Sequence, residues 1–268
     1  MKIVSWNVNS IRKGVYDELF KLSQTEQPDV ICFQETKATG HDAEEYFKNT
    51  ILLELYPYRY WNDSVGGQAG VAVWSKVKPE KVFREIPRIY QLKEGRILIL
   101  EFKELTLLNT YVPNTGRGDV AEDHRKVWHN GIVAWLAEQF EKDKLLVWCG
   151  DLNVVSEPAL DTSHHKVRPK KPIAGLKQFE KDHFDEYIEL GLIDAYRSLY
   201  PDTISYTWFS NIHTDVGWRL DYFLVNDMSK VEDVMHNKRL SKSVSDHTWI
   251  MLLVKKTEKG EKETEETI

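Results

Sequence analysis

Gly150-Asp151-Leu152-Asn153-Val154 directly follows the apolar run Leu145–Cys149, and a second segment near the N-terminus has the same form. There, Ile3-Val4-Ser5-Trp6 leads into Asn7-Val8-Asn9. Each apolar run is typical of a buried strand, and each ends in two polar side chains at positions i and i+2, which lie on one face of a strand. Because unpaired polar groups are costly to bury, the pattern predicts two similar strands that carry functional groups to a site.

Short strand-like segments alternate with helix-like segments along the whole chain. The strand candidates, most of them rich in β-branched and aromatic residues, are Lys2–Asn9, Val30–Glu35, Tyr58–Asn62, Gly70–Ser75, Ile97–Phe102, Leu105–Val112, Leu145–Val154, Tyr206–Ser210, Leu220–Val225 and Thr248–Val254. The helix candidates are Val15–Gln24, Ala43–Leu55, Ala121–Glu141 and Leu176–Leu190. Two similar halves of this kind predict an α/β fold, a four-layer α/β sandwich in which two packed mixed β-sheets are flanked by helices.

The chain has 268 residues, and no change of composition marks a domain boundary before residue 255. We therefore expect a single domain over residues 1–254 and, by default, a monomer. The segment Lys255–Ile268 consists almost entirely of Lys, Glu, Thr and Gly, a composition typical of a disordered charged tail.

Composition also narrows the class of protein. No apolar stretch approaches 18 residues, so no membrane span is expected. The two cysteines, Cys32 and Cys149, lie inside apolar runs, which predicts buried reduced thiols in a cytoplasmic protein, nucleoid-associated if the source is prokaryotic. The net charge of -6 argues mildly against a nucleic-acid partner, but His164–Lys171 is a local basic run.

Polar residues follow apolar runs at six places in the chain. These residues are Asn7 and Asn9; Gln34 and Glu35; Asn109, Tyr111 and Asn114; Asp151 and Asn153; Asp221; and Asp246 with His247. Taken singly, each has a structural interpretation: a turn former, a cap, an Asp221–Arg219 ion pair or a core histidine. The repetition over six elements favours one shared site.

Phosphodiester hydrolysis is the chemistry that these groups suit. Mg²⁺ prefers carboxylate oxygens and water, and Glu35 is the best candidate ligand, with Asp246 as a second. Hydrolysis also needs a positioned base for water, and Asp151 held by Asn153 and Asn7 fits that role.

Two further groups suit the phosphate itself. An Asp221–His247 pair would donate a hydrogen bond to a phosphate oxygen in the transition state. Tyr111 would add a second donor or, with a depressed pKa, an anionic helper.

Six motifs occur in order along the chain. They are Trp6-Asn7-Val8-Asn9-Ser10-Ile11-Arg12, Gln34-Glu35-Thr36-Lys37, Tyr111-Val112-Pro113-Asn114 with Gly116-Arg117-Gly118, Gly150-Asp151-Leu152-Asn153-Val154, Gly217-Trp218-Arg219-Leu220-Asp221-Tyr222 and Ser245-Asp246-His247. Together they resemble the exonuclease III class of apurinic/apyrimidinic endonucleases, within the endonuclease/exonuclease/phosphatase superfamily. The resemblance spans residues 1 to about 254, and the fifth motif favours the DNA-repair branch over the phosphatase branches.

The resemblance implies Mg²⁺-dependent cleavage of double-stranded DNA on the 5′ side of an abasic site, with Mn²⁺ as a substitute metal. Cleavage would leave a 3′-hydroxyl and a 5′ sugar phosphate, and a 3′ to 5′ exonuclease activity is expected beside it.

The resemblance also implies a role for each site residue. Glu35 would bind the metal, with Asn7, Asn9 and Asp246 near it. Asp151 would orient or deprotonate the water, helped by Asn153, while Tyr111, Asn114 and His247 would contact the phosphate and Asp221 would hold His247. Arg117 would lie against the DNA at the lesion, and the wall of the pocket for an extruded abasic sugar would comprise Trp208, Trp218 and Leu220.

The departures from the family pattern are Asn9, the stretch with Lys170 and Lys171, and Trp249, which stands where relatives often have Pro. Asn9 stands where many relatives carry an aspartate, so one candidate metal ligand is neutral. Lys170 or Lys171 occupies a stretch where relatives place asparagines, which would strengthen attraction to the DNA backbone and loosen orientation. Trp208 is a bulky pocket wall, so incision beside a damaged base such as deoxyuridine is a further hypothesis.

Two alternatives use the same sequence differently. A superfamily phosphatase on a small or lipid phosphate would share the catalytic groups, but Arg117, Trp218 and the basic run suit a duplex better. A non-catalytic DNA-binding module would be expected to have lost a catalytic group, and all four of Glu35, Asp151, Asp246 and His247 are present.

Overall fold

The computed structural model describes residues 1–12, 14–89, 94–116, 118–163, 173–212 and 215–255. The strands, in chain order, are β1 Lys2–Asn7, β2 Val30–Gln34, β3 Tyr58–Asn62, β4 Val71–Ser75, β5 Lys81–Phe83, β6 Ile97–Glu101, β7 Leu105–Tyr111, β8 Leu145–Asp151, β9 Ile193–Asp194, β10 Trp208–Phe209, β11 Gly217–Trp218, β12 Asp221–Val225, β13 Val231–His236 and β14 Ile250–Val254. The helices are α1 Val15–Thr25, α2 Gly40–Phe47, α3 Leu52–Leu55, α4 Asp119–Phe140, α5 Pro158–Asp161, α6 Gln178–Glu189 and α7 Ala195–Leu199.

The strands form two six-stranded sheets and a small two-stranded ribbon of β10 and β11. The first sheet has the order β13-β14-β1-β2-β4-β3, and the second has the order β5-β6-β7-β8-β12-β9. Both sheets are mixed. The first contains one parallel pair, β1 with β2, and the second contains one parallel pair, β7 with β8, and all other pairs are antiparallel. Helix α1 connects the first parallel pair and α4 the second. The two halves therefore repeat one arrangement.

The core lies in three layers of apolar side chains. Residues such as Ile3, Leu107 and Phe223 fill the space between the sheets, together with Cys32 and Cys149, which are buried free thiols. The outer face of the first sheet packs on the helices α1 to α3, and the outer face of the second packs on α4 and α6. The predicted four-layer sandwich is confirmed.

A polar contact also joins the sheets. The Gln34 Nε2 atom donates to Asn109 Oδ1 at 2.7 Å, and the Asn109 Nδ2 atom donates to the carbonyl oxygens of Phe33 and Ala72 at 3.2 and 3.0 Å. Both side chains are fully buried. Gln34 and Asn109, which the sequence placed among the candidate site groups, are therefore hydrogen-bonded to each other across the sheet interface.

Several predicted boundaries are wrong. The single helix Ala43–Leu55 is two helices, because the Thr50 amide and hydroxyl both donate to the Phe47 carbonyl and close a turn. The strands predicted to end at Asn9 and Val154 end earlier, because Asn9 and Asn153 adopt positive φ angles of 46° and 49°. Strands β5, β9, β11 and β13 were not predicted, and neither were the short helices α5 and α7.

Residues 256–268, most of the predicted charged tail, lie outside the described residues. Among the residues that the structure does describe, no helix has the length and apolar character needed to cross a bilayer.

Candidate active site

The candidate residues meet at one edge of the two sheets. The parallel pair of the first sheet ends with Asn7 opposite Gln34, and that of the second ends with Tyr111 opposite Asp151. Strand β12 runs antiparallel to β8 and begins at this edge, so that Asp221 pairs with Asp151. Ligand sites in α/β sheets lie outside the carboxyl ends of the parallel strands, and this site follows that rule.

The backbone at this edge is turned sharply. Eight described non-glycine residues have a positive φ, and four of them lie at the site: Asn9 at 46°, Glu35 at 49°, Lys37 at 51° and Asn153 at 49°. A left-handed conformation costs a non-glycine residue roughly 1–2 kcal/mol. Such strain persists only where the surroundings hold it, and it is commonly found where side chains must converge on a functional site.

Glycine is required inside β8. Gly150 has a φ of 136°, and a Cβ atom there would lie 1.9 Å from the carbonyl oxygen of Thr110. Because Gly150 has no Cβ atom, β8 can approach β7 closely, which places Asp151 beside Tyr111.

Asp151 lies at the centre of the cluster and is almost completely buried. Its Oδ1 atom accepts from the backbone N–H of Asn153 at 2.9 Å, and its Oδ2 atom accepts from the side-chain Nδ2 of Asn7 at 2.9 Å. The same Asn7 Nδ2 group donates to Glu35 Oε1 at 2.9 Å. Asn7 therefore fixes one carboxylate from each sheet, and the predicted support of Asp151 by Asn7 and Asn153 is present in the structure.

His247 forms a pair with Asp221 beneath Asp151. The His247 Nδ1 atom lies 2.8 Å from Asp221 Oδ2, and its Nε2 atom lies 3.8 Å from Asp151 Oδ2. Burial opposes a charge on His247, but the carboxylates of Asp221, Asp151 and Asp246 raise its pKa, which keeps the ring an imidazolium at neutral pH. The alternative Asp221–Arg219 ion pair does not form, because Arg219 pairs with Asp161 and Asp194.

The electrostatics of Asp151 are unusual for a carboxyl group. Burial raises its pKa, and the negative charges of Asp221 and Glu35 act in the same direction, while His247 opposes them. Close by, the Asp221 Oδ1 atom is buried and accepts no hydrogen bond from any described residue. The cluster therefore carries more negative charge than its own residues compensate.

The donor set fits a hard divalent cation. Ligand atoms of Glu35, Asp151 and His247 all lie within 4.8 Å of one another. The two carboxylates are the oxygen donors that Mg²⁺ prefers, whereas an imidazolium has no free lone pair for a metal. The uncompensated negative charge at Asp151 is a second reason why a cation would be stabilised at this position.

Asp246 and Asn9 lie on another side of the cluster. The Asn9 Nδ2 atom donates to Asp246 Oδ1 at 2.7 Å, and the Trp208 indole donates to Asp246 Oδ2 at 3.2 Å. Trp208 in turn meets Trp218 edge to face, with ring centroids 5.4 Å apart. Trp218 packs with Leu220, so the three predicted pocket residues form one apolar wall next to Asp246.

Tyr111 is a hydrogen-bond donor. Burial and the charges of Glu35 and Asp151 raise the pKa of its phenol well above the usual value, and its hydroxyl bonds to Glu35. The raised pKa favours the predicted donor role over the anionic one. Asn114 lies nearby, and its Nδ2 atom donates to Asn153 Oδ1 at 3.0 Å.

Two residues at the site were given no role by the sequence. Arg96 places its guanidinium 4.7 Å from the centre of the Tyr111 ring and donates to the Tyr111 carbonyl oxygen at 3.2 Å. Lys37 lies 2.9 Å from Glu35 Oε2. The signal for Lys37 was its position two residues after Glu35, whereas no motif marked Arg96.

A cleft of about 640 Å³ opens beside Glu35 and Tyr111. Its lining includes Lys37, Gln68, Arg96, Asn114 and His124. Three predicted DNA-contact residues, Arg117, Lys170 and Lys171, lie outside the described residues, as does the whole basic run His164–Lys171.

Two packed sheets that bring buried carboxylates, an imidazolium and amide donors to one edge define a phosphoester hydrolase. The chain belongs to the Endonuclease/Exonuclease/phosphatase family, whose model matches residues 4–247.

Named relatives place the chain among nucleases. It is 37% identical over 234 residues to the DNA repair nuclease APEX1 of Danio rerio, covering 84% of this chain and 73% of that protein. It is 33% identical over 264 residues to the exodeoxyribonuclease of Bacillus subtilis (strain 168), covering 95% of this chain and 99% of that protein.

Solved structures show the same fold. An AP endonuclease from Archaeoglobus fulgidus superimposes with a TM-score of 0.81 and 26% identity, covering 95% of this chain and 99% of that one. The 3'-5' exonuclease NExo from Neisseria meningitidis superimposes equally well, with a TM-score of 0.81, but at 22% identity it supports the fold alone.

Proposed function

We propose that this hydrolytic nuclease acts in DNA repair and cuts double-stranded DNA on the 5′ side of an abasic site in a Mg²⁺-dependent reaction. The products would be a 3′-hydroxyl and a 5′ sugar phosphate, with 3′ to 5′ exonuclease activity beside this incision. The observation that carries the proposal is the Asp151 carboxylate, which Asn7 and the Asn153 amide hold between Glu35 and His247.

Asp151 is the proposed base for the attacking water. Its raised pKa makes the carboxylate a better proton acceptor than an exposed aspartate would be. Its two fixed hydrogen bonds leave it little freedom to turn, so the water that it holds would be aligned for attack on phosphorus.

Three donors would meet the phosphate. The His247 imidazolium, oriented by Asp221, would stabilise negative charge that develops on a phosphate oxygen. Tyr111, kept protonated, and Asn114 would donate to other oxygens of the same phosphate. His247 is held in place by Asp221 before the substrate arrives, so little reorganisation of this donor is required, whereas Tyr111 would transfer its hydrogen bond from Glu35 to the phosphate.

Glu35 would hold the divalent ion, with Asp151 and the side chains of Asn7, Asn9 and Asp246 around it. When bound, the ion supplies positive charge that neutralises the phosphate and the leaving oxygen. We propose Mg²⁺ for this position, with Mn²⁺ as a substitute.

The apolar wall of Trp208, Trp218 and Leu220 would take the extruded abasic sugar. Flipping a nucleotide out of the duplex costs least where no base is stacked, which gives a physical reason for selection of an abasic site. We propose that Arg117, Lys170 and Lys171 contact the DNA around it. Because both sheets of one chain supply the site, we also propose that residues 1–254 act as a single-domain monomer.

Gel analysis of a labelled duplex with a single abasic site tests the proposal. We expect one cut 5′ to the site with Mg²⁺ and none with a chelator. The Asp151→Asn variant should bind the duplex and leave it uncut. Near-normal cutting by this variant would show that Asp151 is not the base, and cutting in the presence of the chelator would contradict the metal dependence.

The two tryptophans support a second substrate. Edge-to-face rings of Trp208 and Trp218 offer an apolar surface on which an extruded base could stack, so we propose incision beside deoxyuridine as well. Duplexes with a single uracil, incubated without a glycosylase, should be cut by the wild type and less so by Trp208→Ala. Intact uracil strands, with abasic duplexes still cut, would contradict this second activity alone.

A further inference from the structure

Lys37 places an ammonium group inside the acidic cluster. Its Nζ atom lies 2.9 Å from Glu35 Oε2 and donates to Asn9 Oδ1. About two thirds of its side chain is shielded from solvent, since its exposed fraction is 31%. A long flexible lysine at a surface usually extends into water, so the placement of this one requires a local cause.

The cause lies in the backbone. Glu35 and Lys37 both adopt left-handed conformations, with φ angles of 49° and 51°, and they are only two residues apart. The Thr36 and Lys37 amides each donate at 3.0 Å to the segment before β4, to the carbonyl oxygens of Gly70 and Ala69. This anchored turn directs a carboxylate and an ammonium to the same point.

Asn9 links the Lys37 ammonium to Asp246 by two hydrogen bonds. Its amide oxygen accepts from Lys37, and its amide nitrogen donates to Asp246 Oδ1 at 2.7 Å. Asn9 itself is neutral, so Lys37 is the cation that faces both Glu35 and, through Asn9, Asp246. One side of the acidic cluster therefore already has its positive charge.

The other side has no described lysine or arginine in an ion pair with its carboxylates, Asp151 and Asp221. Glu35 Oε1 faces Asn7 and Asp151. His247 is the cation nearest to this side. The two sides of the Glu35 carboxylate thus differ: Oε2 meets the Lys37 ammonium, whereas Oε1 accepts from the neutral Asn7 side chain, which also holds Asp151.

We propose that Lys37 acts as a built-in cation that competes with the divalent ion for Glu35 and Asn9 and limits the site to one ion per chain. The inference rests on the proposed metal dependence and concerns binding, not turnover. Two positive charges that share the Glu35 carboxylate repel each other, so the ammonium weakens metal binding and leaves no place for a second ion at Asn9.

Titration of the full chain with Mn²⁺, followed by the EPR signal of the free ion and without DNA, tests the proposal. We expect one bound ion in the wild type. Lys37→Met, which keeps the length of the side chain and removes the charge, should bind Mn²⁺ at least tenfold more tightly. Lys37→Arg keeps the charge and should stay within threefold of the wild type. Circular dichroism would confirm that both variants fold.

The possible results separate this inference from the proposed function. Unchanged or weaker Mn²⁺ binding by Lys37→Met, or two ions per wild-type chain, would overturn the role of Lys37. A wild type that binds no Mn²⁺ would overturn it as well, together with the metal dependence. One ion per chain with the expected tightening, but no cut at an abasic site, would support the role of Lys37 and contradict only the proposed substrate.

Discussion

Two clusters of buried and partly buried charged side chains contain Arg219 and Asp221, respectively, and they differ in their balance of charge. In the first, which we call the paired cluster, Arg219 and Arg197 face Asp161 and Asp194, with N···O distances of 2.5 to 2.8 Å. In the second, the active-site cluster, Glu35, Asp151, Asp221 and Asp246 face only Lys37 and His247. The charges of the first balance, and those of the second do not.

The pKa values report the same difference. Burial opposes ionisation of Asp161, but Arg219 and Arg197 outweigh it and lower its pKa. At Asp151, burial and the neighbouring carboxylates together raise the pKa. Charges that are matched within the protein serve its stability, whereas an unmatched buried carboxylate is a sign of chemistry. The comparison thus distinguishes Arg219, whose charge is matched by two aspartates, from Asp221, two positions further on, for which we propose a catalytic role.

The largest expected effect comes from removing the charge of Asp151. Asp151→Asn should lower incision of an abasic duplex about 10³- to 10⁴-fold, equivalent to about 4 to 5.5 kcal/mol, because general base catalysis is lost. The free energy of unfolding should stay constant or rise, since an uncompensated buried charge disappears.

The matched control is Asp161→Asn in the paired cluster. It should lose stability in urea denaturation, because it leaves Arg219 and Arg197 with one partner fewer. Equal losses of stability in the two variants would contradict the distinction between the clusters.

The next largest effect is expected at Arg219. Arg219 is fully buried, and Arg219→Met should lower the free energy of unfolding by about 3 to 5 kcal/mol, because the buried Asp161 and the partly buried Asp194 each lose an ion-pair partner. Incision should fall as well, since Arg219 anchors the segment that places Asp221. Urea denaturation measures the stability, with Arg84→Met at an exposed position as the control. A loss below about 1 kcal/mol would show that the paired cluster contributes little to stability.

The meeting of Asn7, Asp151 and His247 at one place could be predicted from the sequence, whereas the partners of Arg219 could not. Asn7, Asp151 and His247 follow apolar runs, and polar groups at the ends of strands can be recognised in the sequence. Gln34 and Asn109 show the same pattern, but they form a hydrogen bond with each other across the sheet interface. Only the packing of the two sheets distinguishes these cases.

The partners of Arg219 illustrate the limit. Asp161 and Asp194 lie 58 and 25 residues away from it in the chain, in segments without a strong periodic signal. Strands β9 and β11 contain two residues each, too few for any alternation to appear. Ion pairs between residues so far apart in the chain depend on the whole fold, so the local sequence pattern does not predict them.

The smallest effect concerns a third buried group, which is kept neutral. His183 on α6 stacks on His129 of α4 with ring centroids 3.7 Å apart, and its Nδ1 atom is buried without a hydrogen-bond partner among the described residues. Burial lowers the pKa of His183 to about 4, and the positive charges of His129, Arg125 and Lys126 act in the same direction against Asp182.

The unfolded chain therefore binds a proton near pH 6.5 and the folded chain only near pH 4, so His183 lowers stability as the pH falls through this window. Because the ring is half exposed, the effect should be about 1 kcal/mol. His183→Phe keeps the stacked ring and should lose less stability between pH 7 and pH 4 in urea denaturation, whereas His41→Gln at an exposed position should behave like the wild type. The same pH dependence in His183→Phe and the wild type would mean that this ring is protonated as easily in the fold as in the unfolded chain.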